Sequence, residues 1–329
     1  MPTIRTLPVL LTFATSVLAA VANPTAQQPI TSHDDDDDDT PLPVVIWHGL
    51  GDTYSGEGIQ TTADLITQVH PGTYVYVVRM DDSGSSDRSA TFWGDVNGQV
   101  AKACADIAAD PILSTAPALD ALGYSQGGQF LRAYAERCSA PPLRSLVTFG
   151  SQHNGILDYR ACSSTDWLCK GAMALLHGQT WSDYVQTHLV PAQYFRNPSD
   201  MSSYLEHSNF LADINNERDE KNATYAKNME QLSNFVMYLF EDDETVIPKE
   251  TGWFEDVNGT EVTPLRARPL YTEDWIGLRA LDRKGGLKFR TTPGAHMQIP
   301  DKVLKEAFDE FFGPYTKDFA ADSEAAGEL

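Results

Sequence analysis

The chain has 329 residues, 42% of them hydrophobic, and a formal net charge of −22. That length accommodates one large domain with a sizeable core. The negative balance excludes nucleic acid as a natural partner, because a phosphate backbone demands a basic surface.

The first segment reads as a signal peptide over residues 1–22: Arg5 supplies a positive start, Leu7 to Ala20 is mostly apolar, and Ala20-Val21-Ala22 is a small-residue cleavage pattern. The apolar run is shorter than the ~20 residues a bilayer span needs, and no later stretch is long enough either. Asp34 to Asp39 is a run of six carboxylates. Such a run repels itself and buries nothing, so residues 23–40 read as a disordered acidic spacer. It lacks the Gly-punctuated spacing of a calcium loop. A catalytic domain is expected over 41–315, with an acidic tail over 316–329.

From Pro41 short apolar runs alternate with helical periodicity, the pattern of a mostly parallel central sheet flanked by helices. Val44 to Trp47 predicts a buried strand, and Ile59, Ala63, Ile66 and Val69 mark one face of the following helix. Tyr74 to Val78 predicts a strand. Val96, Val100, Ala103 or Cys104, and Ile107 predict a helix that ends by Pro111. Leu119 to Gly123 predicts a strand, Gln126 to Arg137 a helix, and Leu146 to Phe149 the next strand. The rhythm then breaks over about 151–231, where aromatic residues without a clean strand predict a largely helical insertion. Phe235 to Phe240 resumes the sheet. Leu287 and Phe289 lead to the turn at Pro293-Gly294, and Val303 to Phe312 predicts a last helix.

Secretory entry makes the four cysteines, Cys104, Cys138, Cys162 and Cys169, two disulfides rather than a metal site. Three pairings are open. Cys162 with Cys169 closes a small loop, and Cys104 with Cys138 ties the helices on either side of the strand Leu119 to Gly123; these are the pairs we favour. Asn222-Ala-Thr and Asn258-Gly-Thr are glycosylation sequons, whereas Asn197-Pro-Ser is excluded by its proline.

Gly123-Tyr124-Ser125-Gln126-Gly127 joins a predicted strand to a predicted helix and reads as a nucleophile elbow, its glycines permitting a sharp turn with Ser125 at the apex. A serine hydroxyl needs a base, and the base needs an acid that fixes its tautomer. On such a sheet the chain order is Ser, acid, His. Of the eight histidines, His33, His48 and His70 precede the serine, and only His296 follows the late strand able to carry an acid. His153 reads as a pocket residue. Glu241, Asp242, Asp243 and Glu244 all follow Phe240 and are all candidates for the acid. An oxyanion hole needs the amide after the serine, Gln126, and one from an early loop, where Gly49 or Leu50 qualifies.

WHGLGD (Trp47 to Asp52), GYSQGGQFLRA (Gly123 to Ala133), GSQHNG (Gly150 to Gly155), FLADINNER (Phe210 to Arg218), FVMYLFEDDETVIPKETGWF (Phe235 to Phe254), LYTEDWIGL (Leu270 to Leu278) and GAHMQI (Gly294 to Ile299) together resemble the palmitoyl-protein thioesterases of the lysosomal type. The resemblance runs from Pro41 to about Tyr315. It implies an α/β-hydrolase fold, Ser125 as nucleophile, Asp243 as acid, His296 as base, and Leu50 and Gln126 as oxyanion donors. It agrees with the cysteine pairs above. Many relatives carry further cysteines near the Asp52 loop, where this chain has Tyr54 and Ser55.

The implied reaction cleaves long-chain acyl thioesters from cysteine of lipidated proteins or peptides, without cofactor or metal. A thiolate leaves readily. A sixteen-carbon chain offers at most about 12 kcal/mol of burial, so recognition falls on the lipid. The insertion is the expected wall of the lipid-binding region, with His153, Trp181, Tyr184, Val185, Leu189, Val190 and Phe195 as its candidate lining. The expected location is the secretory pathway, ending in lysosome, vacuole or medium. The rival readings are a secreted lipase or carboxylesterase acting on oxygen esters, and a catalytically silent lipid-binding protein.

Overall fold

The computed structural model describes residues 39–159, 170, 171, 174, 176 and 179–319. The expected signal peptide, nearly all of the expected acidic spacer, Cys162 with Cys169, and the end of the tail lie outside the described residues.

The described residues form ten strands: β1 Val44–Trp47, β2 Val75–Val77, β3 Leu119–Tyr124, β4 Leu143–Phe149, β5 Asp158–Tyr159, β6 Asn234–Phe240, β7 Val246–Ile247, β8 Asp256–Asn258, β9 Glu261–Thr263 and β10 Leu287–Thr292. Six of them make one sheet in the order β10-β6-β4-β3-β1-β2, and every pair in it is parallel. The unbroken apolar runs have a direct cause in this layout. Val45, Trp47, Leu119, Ala121 and Leu146 face a core shared with helices α3 (Val96–Ala109) and α4 (Gln126–Arg137). Val44, Ile46, Leu122, Tyr124, Val147 and Phe149 face the opposite core, under helix α1 (Glu57–Val69) and helix Asp301–Phe311. A strand covered on both faces has no polar side to alternate. This is the α/β-hydrolase architecture.

Strand order also locates the chemistry. The chain leaves β1 for the edge strand β2, then returns to lay β3 on the other side of β1, so the loops after β1 and β3 diverge at a switch point above neighbouring strand ends.

Most predicted elements stand, and the departures have physical reasons. Strand β4 starts at Leu143, earlier than its apolar run suggests, because Arg144 is buried, with its Nε donating to Asp120 Oδ1 at 3.0 Å. Helix α2 (Gly84–Ala90) escaped the reading since GSSDRSA carries no apolar stripe. Two small antiparallel pairs, β5 with β7 and β8 with β9, were likewise not foreseen. The described part of 151–231 is otherwise made of helical and 3-10 segments, including Asp183–His188, Val190–Tyr194, Met201–His207 and Ala223–Met229.

The disulfide Cys104–Cys138 joins α3 to the end of α4, two helices on the same face of the sheet. On that face Arg132 of α4 is wholly buried. It pairs with Glu136 at 2.7 Å and donates to Ile214 O (2.9 Å), Asn215 Oδ1 (2.8 Å) and His153 O (3.1 Å). The FLRA and FLADIN motifs are thus two halves of one internal tether. Removing one partner of such a pair typically costs about 3–5 kcal/mol.

Candidate active site

Ser125 closes β3 and precedes α4 with φ 52° and ψ −126°, a conformation that a side chain tolerates only under constraint from its neighbours. Here the constraint is close packing. A Cβ on Gly127 would lie 2.2 Å from Trp47 O, and one on Gly123 would lie 2.1 Å from Gly128 Cα. Both elbow glycines let backbone touch backbone. The Ser125 amide donates to Phe149 O at 2.8 Å, anchoring the turn to β4.

His296 follows β10 in the loop that begins at Pro293, and its Nε2 is 3.1 Å from Ser125 Oγ. Its Nδ1 is 2.7 Å from Asp243 Oδ2. The other oxygen of Asp243 accepts the amides of Thr245 (2.8 Å) and Val246 (2.9 Å). Burial pushes the Asp243 carboxyl up, but the hydrogen bond and charge of His296 and the two amides outweigh it, and the pKa is lowered. Among the four carboxylates after β6, Glu241, Asp242 and Glu244 are exposed. Register therefore singles out Asp243.

The loop after β1 lies against the serine: a Cβ on Gly49 would sit 3.1 Å from Ser125 Cβ. Leu50 follows at the rim of the cavity described below. Gln126 is the first residue of α4, a position whose N–H has no intrahelical acceptor. Its buried side chain turns elsewhere, bonding Thr91 O and Tyr194 OH.

Ser125 and His296 open onto a cavity of about 780 Å³. One wall is Ile59, Thr62 and Leu65 of α1 with Tyr124; Met297, Ile299 and Leu304 of the last loop and helix lie against it. The other wall includes Leu50, Phe92, Ile156, Pro191 and Tyr194. Thr62 Oγ1 donates to Gly58 O at 2.9 Å, so Tyr124 OH donates to Thr62 Oγ1 at 3.0 Å and both hydroxyl protons are taken up within the wall. Asp52, Glu57, Arg88 and Asp301 add charge to the lining.

None of the seven residues expected to line the lipid region is among those lining this cavity. His153 is wholly buried, bonded to Thr148 Oγ1 at 3.1 Å and stacked on Phe254; burial and the nearby Arg132 hold its pKa well below the usual imidazole range. Val190 belongs to the main core, and Val185 and Leu189 to a small cluster with Phe92, Leu176 and Ala192. Trp181 packs edge-on against Phe195 and Tyr204. Tyr184 is 60% exposed and stacks on His188. These residues pack within the insertion, whose contribution to the cavity is instead Gln152, Ile156, Pro191 and Tyr194, opposite α1 and the C-terminal segment. Asn222 and Asn258 are exposed, at a helix N-cap and a hairpin turn.

The sequence reading missed Asp87. Its fully buried carboxylate accepts His48 Nε2 (3.0 Å), Thr53 Oγ1 (3.1 Å) and the amides of Tyr54 (2.8 Å) and Met80 (2.7 Å). It ties the loop after β1 to the loop after β2. Burial pushes this carboxyl up, yet the bonds from His48, Tyr54 and Met80 outweigh it and its pKa is lowered. Nothing but a lone acid among serines marks it in the sequence.

Comparison with known proteins gives the same reading. The family model described as palmitoyl protein thioesterase matches residues 43–296. Palmitoyl-protein thioesterase 1 of Caenorhabditis elegans is 37% identical over 267 residues, 80% of this chain and 89% of that protein. Lysosomal thioesterase PPT2 of Rattus norvegicus is 31% identical over 250 residues, 74% of this chain and 78% of that protein. Among solved structures, RedJ-thioesterase from Streptomyces coelicolor superposes with a TM-score of 0.42 at 15% identity, over 88% of this chain and 96% of that one. A sequence match that runs from the first strand to the imidazole beside Ser125 leads to one conclusion: the chain belongs to the palmitoyl protein thioesterase family.

Proposed function

We propose that the protein hydrolyses long-chain fatty acyl thioesters, palmitoyl above all, on cysteines of lipidated proteins or peptides. In this reading Ser125 Oγ attacks the thioester carbonyl while His296 Nε2 takes its proton. Asp243 holds the Nδ1–H tautomer and stabilises the imidazolium that forms. The oxyanion lies between the amides of Leu50 and Gln126, the second reinforced by the positive end of α4. The C–S bond then breaks, and His296 returns its proton to the departing sulfur. A thiol has a pKa near 8.5, so this departure needs little acid assistance. Water, deprotonated by His296, attacks the acyl-enzyme and releases the fatty acid and free Ser125.

The observation that carries the reading is the hydrogen-bonded line from Asp243 through His296 to Ser125, 2.7 and 3.1 Å, at the side of a cavity walled by Ile59, Leu65, Ile299 and Leu304. Such a wall suits an acyl chain, where each buried methylene contributes about 0.8 kcal/mol. The Cys104–Cys138 disulfide supports passage through an oxidising compartment. We place the protein in the secretory pathway, with lysosome, vacuole or medium as its destination and glycans at Asn222 and Asn258. No helix among the described residues is long and apolar enough to cross a membrane.

The test pairs turnover with labelling. Palmitoyl-thioester and palmitoyl-oxyester substrates are compared on wild type and Ser125→Ala, and a fluorophosphonate is applied to both. Thioester turnover and labelling that vanish together in Ser125→Ala support the proposal. Faster oxyester turnover supports a lipase, and an unlabelled, inactive wild type supports a silent lipid-binding protein.

A further inference from the structure

The two amides assigned to the oxyanion lie far apart in sequence, one in the loop after β1 and one at the start of α4. Thr91, just past α2, touches both segments. Its Oγ1 accepts the Gly51 N–H at 2.8 Å and donates its own proton to Arg88 O at 2.7 Å. Its carbonyl accepts Gln126 Nε2 at 3.3 Å. Arg88 closes the clamp, with Nε donating to Gly51 O at 2.8 Å. Thr91 is 5% exposed, so water competes little for these bonds. Below the clamp, the Asp87 carboxylate fixes Thr53 and Tyr54.

We propose that Thr91 is a positioning residue for the oxyanion hole, joining through its hydroxyl and carbonyl the two chain segments that carry the oxyanion amides. This rests on the assignment of Leu50 and Gln126 above. The physical basis is the narrow geometry of electrostatic catalysis, in which donors must stand about 2.7–3.1 Å from the place where the oxyanion forms. A displacement of about 1 Å can cost on the order of 10² in rate. With its proton committed to Arg88 O, the hydroxyl presents a lone pair to Gly51, which immediately follows Leu50. Thr91 directs its side-chain and carbonyl hydrogen bonds to Gly51, Arg88 and Gln126, so its influence runs through the segments it holds.

Thr91→Val keeps the shape and removes the acceptor, while Thr91→Ser keeps the acceptor. For each, kcat and KM are measured on a palmitoyl thioester. Affinities are measured for two probes: a palmityl trifluoromethyl ketone, which forms a tetrahedral adduct, and a non-reacting palmityl thioether. Thr91→Val is expected to lower kcat by about 10- to 100-fold and to weaken the ketone by a similar factor. KM and thioether affinity should stay within about twofold, and Thr91→Ser should recover most of the kcat. If Thr91→Val does not fold, Thr91→Ala supplies the same comparison, and Thr91→Ser must still match wild type. Unchanged kcat and ketone affinity in the valine or alanine variant overturns the proposal, as does a parallel loss of thioether affinity. A wild type that binds ketone no more tightly than thioether overturns the oxyanion assignment itself, and this proposal with it.

Discussion

Asp243→Asn is the sharpest perturbation of the hydrogen-bonded line, because one atom changes and its effect can be followed bond by bond. Oδ1 of Asp243 accepts two amides, from Thr245 and Val246, and Oδ2 accepts from His296 Nδ1. An asparagine must put its oxygen under the two amides, since the reverse flip sets its NH2 against two donors and loses both bonds at about 1–3 kcal/mol for each unsatisfied group. Its NH2 then faces Nδ1. The imidazole must accept there, so its proton moves to Nε2, where Ser125 needs a base. The expected loss in kcat is on the order of 10³–10⁴, or about 4–5.5 kcal/mol. Volume is conserved, and the fold should survive. The assay is kcat on a palmitoyl thioester with circular dichroism as the folding control, run beside Asp242→Asn, whose parent side chain is exposed. Asp243→Asn activity within tenfold of wild type, or an equal loss in Asp242→Asn, would refute the argument. The lowered Asp243 pKa adds a condition: the carboxylate stays ionised below the usual carboxylate range, so acid inactivation near pH 5 in wild type must not trace to its protonation.

Gly127→Ala should abolish activity and sharply reduce soluble yield, since its Cβ would fall 2.2 Å from Trp47 O; an active, soluble variant would show that the elbow can yield. In an acyl series from four to twenty carbons, kcat/KM should rise by up to about fourfold per methylene until the cavity is full. We expect the plateau near sixteen carbons in wild type. Leu65→Trp, in the cavity wall, should shift it to shorter chains, whereas Tyr184→Ala should not; the opposite pattern would move the acyl chain from this cavity to the surface around Tyr184. His153 is neutral when folded, with its pKa well below its unfolded value near 6.5, so it costs nothing above that pH and stability falls as pH drops below it. His153→Phe should therefore flatten the loss between pH 6.5 and 4.5. Denaturant melts that stay parallel to wild type across that window would contradict this.

Much of the site was legible because its determinants are local. The elbow needs Gly123 and Gly127 within one turn of Ser125, and strand-end chemistry on a parallel sheet imposes an order that points to His296, which the fold brings to 3.1 Å from Ser125 Oγ, as the proposed base. Choosing Asp243 among four neighbouring carboxylates took resemblance first and geometry afterwards, since composition treats the four alike. The cavity wall was not legible. Ile66 and Ile59 share the stripe of α1, yet only Ile59 lines the cavity. Periodicity reports which side of a helix is turned from water and is silent on whether protein or substrate fills the space there. Trp181 and Phe195 of the insertion suggested lipid for the same reason, and they pack on each other instead, while Tyr194 of the same insertion lines the cavity. Asp87 and Thr91 were invisible because their partners, Tyr54, Gly51 and Gln126, come from other segments of the chain. The amino-acid order thus determined the turn and the sequence of reactive groups, which depend on neighbours along the chain. Only the tertiary structure decided what lines the cavity and what holds the loops around Ser125, because those contacts are made through space between segments that sequence does not connect.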